Sequence, residues 1–441
     1  MSLYHIGVDS TDSAEMGMCT TYLGARILEA LDDLELNLVS PPELIRLNPN
    51  VPWKTRGNGA VCLRYEGEEG LEKEIFTICE ELTEELSVLQ DPQTNPGLVL
   101  LIGDVPSELN DLYNRALHRI IDVDHAKRIM EGRNCIYRGW KNERGLIGAA
   151  SAVGSDLERH TYEVILYRDP SLKSRERSVD LESVRRVSRE HVSTFFNVDS
   201  DGNVLCIPHS PCPIILGLRG VDPGDLIKAS SSLIVEGLER WVLWKTNQHT
   251  DAHIEETAGL SDPTDHSSIS AKGRVSSDPV YGPGGHLYFE ITDDHGGKIQ
   301  CAAYEPTKGF RKELSHLIKG DQIRVWGGIR PAVRDHPRTL NLEKVQVISL
   351  LEITDMANPF CRKCGGRMES MGSGQGLRCK KCGFRDDAGR KIPVTKSREI
   401  SVGFIEPPPG AWRHLYRPLM LPVGESSNAP PVHFGINFQS G

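Results

Sequence analysis

Four cysteines near the end of the chain constrain its fold more than any other feature. Cys361, Cys364, Cys379 and Cys382 form the pattern C-x2-C-x14-C-x2-C, and a glycine follows the second cysteine of each pair. Such a turn lets two thiolates point at one place, so two turns build a tetrahedral sulfur cage that suits Zn2+. The cage leaves no position for water or substrate. We therefore predict a structural zinc site in a small module that cannot fold by its core alone.

Two disulfides are the alternative for these cysteines. The other seven cysteines are scattered, the total of 11 is odd, and the opening MSLYHIGVDSTDS holds no long apolar run. These features indicate a protein without a secretory signal in a reducing compartment, where disulfides are unfavourable. No stretch reaches the roughly 18 apolar residues of a membrane span. We therefore expect zinc, a cytoplasmic location and no membrane partner.

The charge of the chain is uneven. Its 441 residues predict about three or four domains. The net charge of −10 argues against a uniformly basic nucleic-acid binder, yet residues 361–418 hold 13 Lys and Arg against 5 Asp and Glu. This basic end could bind phosphates, while the more acidic remainder suits cationic or metal-bound ligands. The alternative is that the basic residues only solvate a small module.

The pattern of apolar residues changes after about residue 250. Before it, strand-like runs alternate with helical stretches, among them Thr20–Leu31 and a helix with Ser107 as its N-cap, which predicts α/β or α+β sheets. The polar segment Asn247–Ser268 has the composition of a linker. Three strands, a helix and two strands then follow, the order of an OB-fold barrel. A generic small β-domain is the alternative.

The first strand runs into a turn rich in oxygen atoms, Gly7-Val8-Asp9-Ser10-Thr11-Asp12-Ser13. Carboxylates at the end of a strand are well placed to hold Mg2+. Thr20 and Thr21 then open a helix, whose free N–H groups favour phosphate. The sequence contains no Walker loop. An Asx-turn followed by an N-cap uses the same residue types and is the alternative.

A loop of cations and glycines, Pro52-Trp53-Lys54-Thr55-Arg56-Gly57-Asn58-Gly59-Ala60, forms the next candidate site. Lys54 and Arg56 carry charges suited to phosphoryl oxygens, and the glycines allow the backbone to approach a ligand closely. A plain hairpin turn at residues 57–59 is the alternative.

Together and in this order, these features resemble the archaeal tRNA(Ile) 2-agmatinylcytidine synthetase family. The resemblance covers nearly the whole chain, and it is carried by the stretches G-V-D-S-T-D-S, G-M-C-T-T-Y, L-I-R-L-N-P-N-V-P-W-K-T-R-G-N-G-A and A-W-R-H-L-Y-R-P. The family usually reads G-I-D-D-T-D-S. Ser10 therefore replaces an aspartate, which leaves one carboxylate fewer beside the expected metal.

The resemblance implies a multidomain α/β and α+β architecture. Its parts are an atypical kinase domain, a ferredoxin-like domain, an OB-fold barrel and a zinc ribbon. We place the kinase-like part at residues 1–130 and the ferredoxin-like part at 131–250, and we leave open whether the two are interleaved. The OB-fold then covers residues 266–352, the zinc ribbon 357–390 and a C-terminal extension 391–441.

The resemblance also implies a reaction. Family members attach agmatine to C2 of the wobble cytidine of an isoleucine tRNA, so that the tRNA reads AUA, and ATP ends as AMP and two phosphates. Phosphorylation of the C2 oxygen would turn it into a leaving group that the agmatine amine can replace. A non-catalytic OB-fold and zinc-ribbon protein that binds nucleic acid is the main alternative. A kinase-like phosphotransferase acting on another substrate is a third.

The implied ligands are ATP, Mg2+, Zn2+, tRNA and agmatine, with no obligate protein partner. Thr20 aligns with a threonine that becomes phosphorylated in the family. Agmatine is a dication that needs acidic or carbonyl oxygens, and the candidate stretches are 148–154 and Arg219-Gly220-Val221-Asp222, with carboxylates at Asp222 and Asp225. A surface turn and helix start is the alternative for residues 222–225. The implied site residues are Asp9, Asp12 and Thr20 for catalysis; Thr11, Thr21, Lys54, Arg56, Gly57, Asn58 and Gly59 for the nucleotide; Asp222 and Asp225 for agmatine; and Arg413 and His414 for tRNA. Further candidates for RNA contacts are Tyr288, Trp326, Arg330, Lys344, Arg378, Lys380, Lys381 and Arg385.

Overall fold

A computed structural model describes residues 1–257, 259–334, 336–421 and 434–435, and two large sheets organise this part of the chain. Most of the predicted C-terminal extension beyond residue 421 lies outside the described residues. Among the residues that are described, no helix is both long and apolar enough to cross a bilayer.

The first 139 residues form strands with helices on both faces. The helix predicted around Ser107 buries Leu109, Leu112, Tyr113, Ala116 and Leu117 on one face, as its periodicity predicts. Ser107 is the first helical residue rather than the predicted N-cap, since Pro106 occupies the cap position without a side-chain hydrogen bond. The strands are β1 (Ser2–Asp9), β2 (Asn37–Leu38), β3 (Glu43–Arg46), β4 (Gly59–Gly67), β5 (Gly97–Ile102) and β6 (Cys135–Gly139), and the helices are α1 (Thr20–Ala30), α2 (Glu72–Leu86), α3 (Ser107–His118) and α4 (Val123–Met130).

The next hundred residues extend the same sheet. Its strand order is β6-β5-β1-β4-β3-β10-β7-β9-β8, with β2 beside β4, and the parallel pair of β3 and β10 joins the two halves. Helix α5 packs against β1 and β5 of the first half, because its small residues allow close approach. The added elements are α5 (Gly145–Val153), β7 (Thr161–Tyr167), α6 (Leu181–Glu190), β8 (Thr194–Phe195), β9 (Ile214–Gly220), α7 (Pro223–Ser231) and β10 (Arg240–Thr246).

The second sheet closes into a barrel, which confirms the predicted OB-fold. Strand β12 pairs with both β16 and β14, so the five strands β12, β16, β17, β15 and β14 form a ring around an apolar core. Its elements are β11 (Ile254–Glu256), β12 (Ser268–Val275), β13 (Val280–Tyr281), β14 (Leu287–Thr292), β15 (Lys298–Ala303), α8 (Gly309–Leu314), β16 (Gln322–Arg330) and β17 (Thr339–Ser349).

The prediction of a linker over Asn247–Ser268 is wrong. Asn247, Gln248, His249 and His253 are buried, and β11 pairs in parallel with β12 of the barrel. Their polar side chains contact tertiary partners from distant parts of the chain. His249, for example, contacts the carbonyl oxygen of Tyr416 in the C-terminal segment at 2.8 Å.

The zinc-ribbon module is small. Its buried apolar core consists of Met368 and Leu377 beside the cysteines Cys361 and Cys379. The remaining strands are β18 (Thr354–Ala357), β19 (Met368–Ser370), β20 (Leu377–Cys379), β21 (Arg385–Asp386), β22 (Ile392–Thr395), β23 (Gly403–Ile405), which pairs with β17, and β24 (Phe434–Gly435), which pairs with β10.

Candidate active site

A cavity of about 490 Å³ collects most of the predicted site residues. Its walls come from the turn after β1, the start of α1, the loop before β4, strands β7 and β9, and the C-terminal segment. Among the predicted residues, its lining includes Asp9, Asp12, Thr20, Thr21, Lys54, Arg56, Gly57, Asn58, Gly59, Arg413 and His414. The fold therefore joins the acidic turn and the cation-rich loop, which are some 40 residues apart in sequence, in one site.

Asp9 is a half-buried carboxylate with a raised pKa. Burial, and next the charge of Asp12, raise the pKa of Asp9 to about 7, although the Ser10 N–H donates to its Oδ1 at 2.6 Å and opposes the shift. Helix α5 presses against it: a Cβ on Gly148 would lie 1.9 Å from Asp9 Oδ2. The glycine thus leaves room for this carboxylate.

Asp12 ties the cation-rich loop to the acidic turn. Its Oδ1 accepts from the Thr55 hydroxyl at 2.7 Å, and its Oδ2 accepts from Arg56 Nε at 2.5 Å. Arg56 also donates to the Met18 carbonyl at 2.7 Å and to the Ser210 hydroxyl at 3.1 Å. The charge of Asp12 is therefore compensated by Arg56, whereas Asp9 has no cation paired with it among the described residues.

The threonines lie where α1 begins. The Thr11 hydroxyl donates to the Thr20 hydroxyl at 3.0 Å, and both side chains are buried. Gly17 precedes them with φ +97°, and a Cβ there would lie 2.1 Å from the Pro211 carbonyl oxygen, so the turn into the helix needs glycine. This places the Thr20 oxygen at the edge of the cavity that Asp9 and Asp12 also line.

Ser10 stands where the synthetase family that this sequence resembles usually has an aspartate. It has a left-handed backbone (φ +60°), a conformation that asparagine and aspartate adopt more readily than serine. Its hydroxyl accepts from the Asn95 N–H at 3.2 Å. The side chain therefore braces the turn through a neutral hydrogen bond.

A polar network beside the cavity joins Arg219 and His414, both candidates from the sequence, to Glu163 and Gln248, which sequence reasoning missed. Gln248 Nε2 donates to Glu163 Oε2 at 2.5 Å, Arg219 Nε donates to Glu163 Oε1 at 3.2 Å, and the His414 ring meets Gln248 Oε1 at 3.0 Å. The charge of buried Arg46, followed by burial itself, lowers the pKa of His414 well below its usual range, so this imidazole is neutral.

Two of the residues that sequence reasoning missed, Glu163 and Arg46, could have been found from the sequence. Glu163 is a single charge within the otherwise apolar strand TYEVILY, and a buried charge in such a strand needs partners. Arg46 lies in one of the four stretches that carried the resemblance. Gln248 carried none, because it sits in the segment that we predicted as a linker.

An aromatic pair closes one side of the cavity. Phe196 stacks on Trp412 with ring centres 5.4 Å apart and planes at 24°, and the Arg219 guanidinium lies 4.8 Å from the Phe196 ring centre. Phe196 has φ +59°, an unfavourable conformation for a bulky residue. Strain of this kind is common at functional sites, and a flat aromatic wall suits a nucleobase.

Asp222 and Asp225 do not reach this cavity. Asp222 caps helix α7 by accepting from the Asp225 N–H, and Asp225 accepts from the Ser193 hydroxyl at 2.5 Å and meets the His191 ring at 2.7 Å. The alternative interpretation, a turn that starts a helix, describes their structure.

The four predicted zinc ligands converge. The Sγ atoms of Cys361 and Cys382 lie 3.6 Å apart, those of Cys364 and Cys379 lie 3.5 Å apart, and all four are within 4.8 Å of one another. A tetrahedral Zn2+ with bonds of about 2.3 Å requires sulfur separations of about 3.8 Å. The thiolates therefore fit zinc, which would hold the ribbon together.

The described residues fit Mg2+ less completely than Zn2+. Asp9 and Asp12 supply the oxygen donors that this ion prefers, and Mg2+ commonly uses one or two carboxylates together with substrate phosphates. Both oxygens of Asp12 already accept hydrogen bonds from Thr55 and Arg56. Asp9 is therefore the more available ligand.

Taken together, the cavity, the closed OB barrel and the thiolate cage define a multidomain nucleotide-binding enzyme with a nucleic-acid-binding barrel. Three domain models of one family together match about two thirds of the chain: the TiaS TCKD domain at residues 5–139, the TiaS FLD domain at 143–253 and the TiaS C-terminal zinc ribbon domain at 358–400. An OB-fold nucleic acid binding domain matches residues 269–348.

Relatives agree over the full length. The 2-agmatinylcytidine synthetase TiaS of Archaeoglobus fulgidus, which acts on an isoleucine tRNA, is 40% identical over 94% of this chain and 96% of its own, and that of Pyrococcus horikoshii is 38% identical over 98% and 100%. A solved complex of TiaS with its isoleucine tRNA and ATP superposes with a TM-score of 0.83 at 38% identity, covering 97% of this chain and 100% of that one. The chain belongs to the tRNA(Ile) 2-agmatinylcytidine synthetase family.

Proposed function

We propose that this protein is an ATP-dependent ligase that attaches agmatine to C2 of the wobble cytidine of an isoleucine tRNA. The observation that supports the proposal is the single cavity that joins Asp9, Asp12 and Thr20 to the loop 54–59, in a chain that matches the synthetases over more than nine tenths of its length. A solved relative holds its isoleucine tRNA, AMPCPP and agmatine together, with a TM-score of 0.81 at 35% identity over 97% of this chain and 100% of that one.

The chemistry explains why a kinase-like site is needed. The C2 oxygen of cytosine is a poor leaving group, so one phosphoryl group of ATP is transferred to it, the other is transferred to the Thr20 hydroxyl and later released as phosphate, and AMP departs. The agmatine amine then forms a bond to C2, the C2–O bond breaks, and phosphate leaves with that oxygen. The amine gives up its protons to bases, and the wobble base must leave the anticodon stack to enter the cavity.

Most of the predicted residues have a proposed role in this reaction. Asp9 and Asp12 hold Mg2+ and the phosphates, and when bound the ion neutralises charge that develops on the phosphoryl oxygens. Thr20 is the threonine that takes up a phosphoryl group, with Thr11 donating to its oxygen. Arg56 moves from Asp12 to a phosphate when the nucleotide enters. Thr21, Gly57, Asn58 and Gly59 line the nucleotide site, and Arg413 and His414 face the RNA.

The agmatine pocket is proposed on the wall of the main cavity rather than at α7. Glu163 is the third carboxylate of that cavity, besides Asp9 and Asp12, among the described lining residues. We leave Asp222 and Asp225 out, because a helix cap and the pair with His191 and Ser193 already account for them.

We also propose the division of the chain into parts at 1–130, 131–250, 266–352, 357–390 and 391–441, with the first two interleaved. The pairing of β6 with β5 and the packing of α5 against β1 support the interleaving. A cytoplasmic location is proposed on the free cysteines outside the thiolate cage and on the tRNA substrate.

The test is mass spectrometry of the wobble nucleoside. Purified protein is incubated with isoleucine tRNA bearing a wobble cytidine, ATP, Mg2+ and agmatine, and we expect a nucleoside heavier by the agmatine adduct. Omission of agmatine and the variant Asp9→Ala are the controls, and both should leave cytidine unmodified. Tight tRNA binding with no ATP turnover and no adduct would favour the non-catalytic nucleic-acid-binding protein instead.

A further inference from the structure

A second cavity lies beside the first. It measures about 740 Å³ and is enclosed by the loop 49–57, the end of barrel strand β16 and the C-terminal segment 412–415. Lys54, Arg56 and residues 412–414 line both cavities, so the two spaces adjoin. Asp9, Asp12 and Thr20 line only the first one. The second cavity therefore leads to the catalytic groups without containing them.

The second cavity is strongly cationic. Arg46, Lys54, Arg56, Arg330 and Arg413 line it, and no aspartate or glutamate is among its described lining residues. The whole chain carries a net charge of −10, so this clustering runs against the average composition. Arg56 is paired with Asp12 and Arg413 with Glu343. The cleft still keeps an excess of positive charge, and such an excess attracts a polyanion.

Of Lys54, Arg330 and Arg413, the first two lack a strong protein partner among the described residues. Lys54 Nζ reaches only the Val51 carbonyl oxygen, at 3.5 Å, and the Arg330 guanidinium lies 6.0 Å from the Tyr304 ring centre. No described carboxylate forms an ion pair with either. Arg413 donates to Asn50 Oδ1 at 2.8 Å and lies 3.4 Å from Glu343.

The three cations also act on one another. Burial, followed by the charges of Arg413 and Arg330, lowers the pKa of Lys54. They come from three distant segments of the chain, and Arg330 belongs to the nucleic-acid-binding barrel. A bound anion would relieve their mutual repulsion.

We propose that Lys54, Arg330 and Arg413 form a subsite for backbone phosphates of the RNA strand. The phosphates next to the wobble nucleotide are held there while its base enters the adjoining cavity. This inference rests on the proposed function and assigns Lys54 to the RNA rather than to ATP. The ATP phosphates belong with Asp9 and Thr20, which line only the first cavity.

The experiment compares two variants with a matched control. Arg330→Gln and Lys54→Gln each remove one cation from the subsite, whereas Arg334→Gln removes an exposed arginine four residues after Arg330 that does not line the cavity. The dissociation constant of isoleucine tRNA is measured over a series of salt concentrations. The KM for ATP is measured in the same preparations, whose folding is checked by thermal denaturation.

We expect each subsite variant to weaken tRNA binding about tenfold at low salt, as loss of one charged phosphate contact predicts. The slope of log Kd against log salt should fall by about 1 in each single variant and by about 2 in the double variant. The KM for ATP should stay within about twofold of the parent value, and Arg334→Gln should match the parent in both measurements.

A raised KM for ATP with an unchanged salt slope would overturn the proposal, since the cations would then serve the triphosphate. Unchanged values of both quantities, or an equal effect of Arg334→Gln, would also overturn it. The salt slope does not depend on catalysis. A parent protein that transfers no agmatine, but whose tRNA binding responds to Arg330→Gln, would therefore refute the proposed function and leave the subsite standing.

Discussion

At the scale of single residues, the two carboxylates of the acidic turn differ in how their charges are compensated. Asp12 is paired with Arg56, while burial and the charge of Asp12 raise the pKa of Asp9 to about 7. Two neighbouring carboxylates cannot both carry an uncompensated charge in a buried place without cost. The site thus holds one carboxyl group whose ionisation near neutral pH a cationic partner would favour.

The raised pKa predicts a pH-dependent stability. Folded Asp9 retains a proton up to about pH 7, whereas the unfolded chain releases it near the ordinary pKa of 3.8, so its contribution to stability falls as the pH rises between these values. Asp9→Asn removes the titrating carboxyl group and therefore also this loss of stability at higher pH. Without metal or nucleotide, its stability advantage over the parent should grow by about 1–2 kcal/mol from pH 5.5 to pH 8.

Urea unfolding at the two pH values checks this prediction. Asp111→Asn, at an exposed position of α3, serves as the control and should show no such growth. A stability difference between Asp9→Asn and the parent that is the same at both pH values would contradict the prediction.

Gly148 provides a second prediction at this scale. In Gly148→Ala the new methyl group would lie 1.9 Å from Asp9 Oδ2, so the carboxylate must move while α5 gains a better helix former. We expect folded protein whose agmatine transfer is about 100-fold slower, because a catalytic group is displaced by about an ångström.

Gly309→Ala, at a helical glycine with open space around it, is the control and should retain activity. Single-turnover kinetics provide the measurement, and an unimpaired Gly148→Ala would show that Asp9 has no strict position.

At the scale of elements, the local sequence pattern predicted the helices and strands whose structure depends mainly on neighbouring residues. The helix predicted over Thr20–Leu31 is observed as Thr20–Ala30, and the strand, helix and strand order of the barrel is observed as well. The segment Asn247–Ser268 could not be predicted, because its polar residues are buried by partners far away in sequence. His253, for example, meets Glu343 in the barrel at 2.9 Å.

The same limit applies to the site. The acidic turn and the cation-rich loop each carried a local motif, but the ion pair of Asp12 with Arg56 and the Gln248–Glu163 contact exist only once the sheet is assembled. The second cavity likewise needs the barrel to be seated on the loop 49–57. Composition and spacing contain no information on that docking.

The zinc ribbon predicts the effect of removing its metal. Met368 and Leu377 alone give the module too small an apolar core to stay folded without the thiolate cage. Cys364→Ser should lower the zinc content from one ion per chain to near zero and open residues 361–390 to protease, while ATP binding stays unchanged. Cys135→Ser, at a partly buried cysteine outside the cage, should keep its zinc. Metal analysis measures the zinc content, and limited proteolysis measures whether the ribbon is folded. A ribbon that lacks zinc but resists the protease would contradict the prediction.

At the scale of the whole molecule, Asn50 joins three parts of the chain. Its Nδ2 donates to the Ser267 carbonyl at 3.1 Å and to the Ser268 hydroxyl at 2.8 Å, at the entry to the barrel. Its Oδ1 accepts from Arg413 of the C-terminal segment at 2.8 Å. One amide in the loop before β4 thereby seats the barrel and the C-terminal segment beside the catalytic cavity.

Removal of this amide should uncouple RNA handling from nucleotide handling. Asn50→Ala loses three hydrogen bonds, each contributing about 1 kcal/mol. We expect the barrel and the main sheet to unfold in more separated thermal transitions. Agmatine transfer to tRNA should slow about tenfold or more, whereas the dissociation constant of ATP should stay the same because Asp9, Asp12 and Thr20 are untouched.

Asn114→Ala, which removes only a contact within α3, is the matched control. Calorimetry with parallel tRNA and ATP titrations tests the coupling, and a single shared transition with parental transfer rates would show that the barrel is held by other contacts.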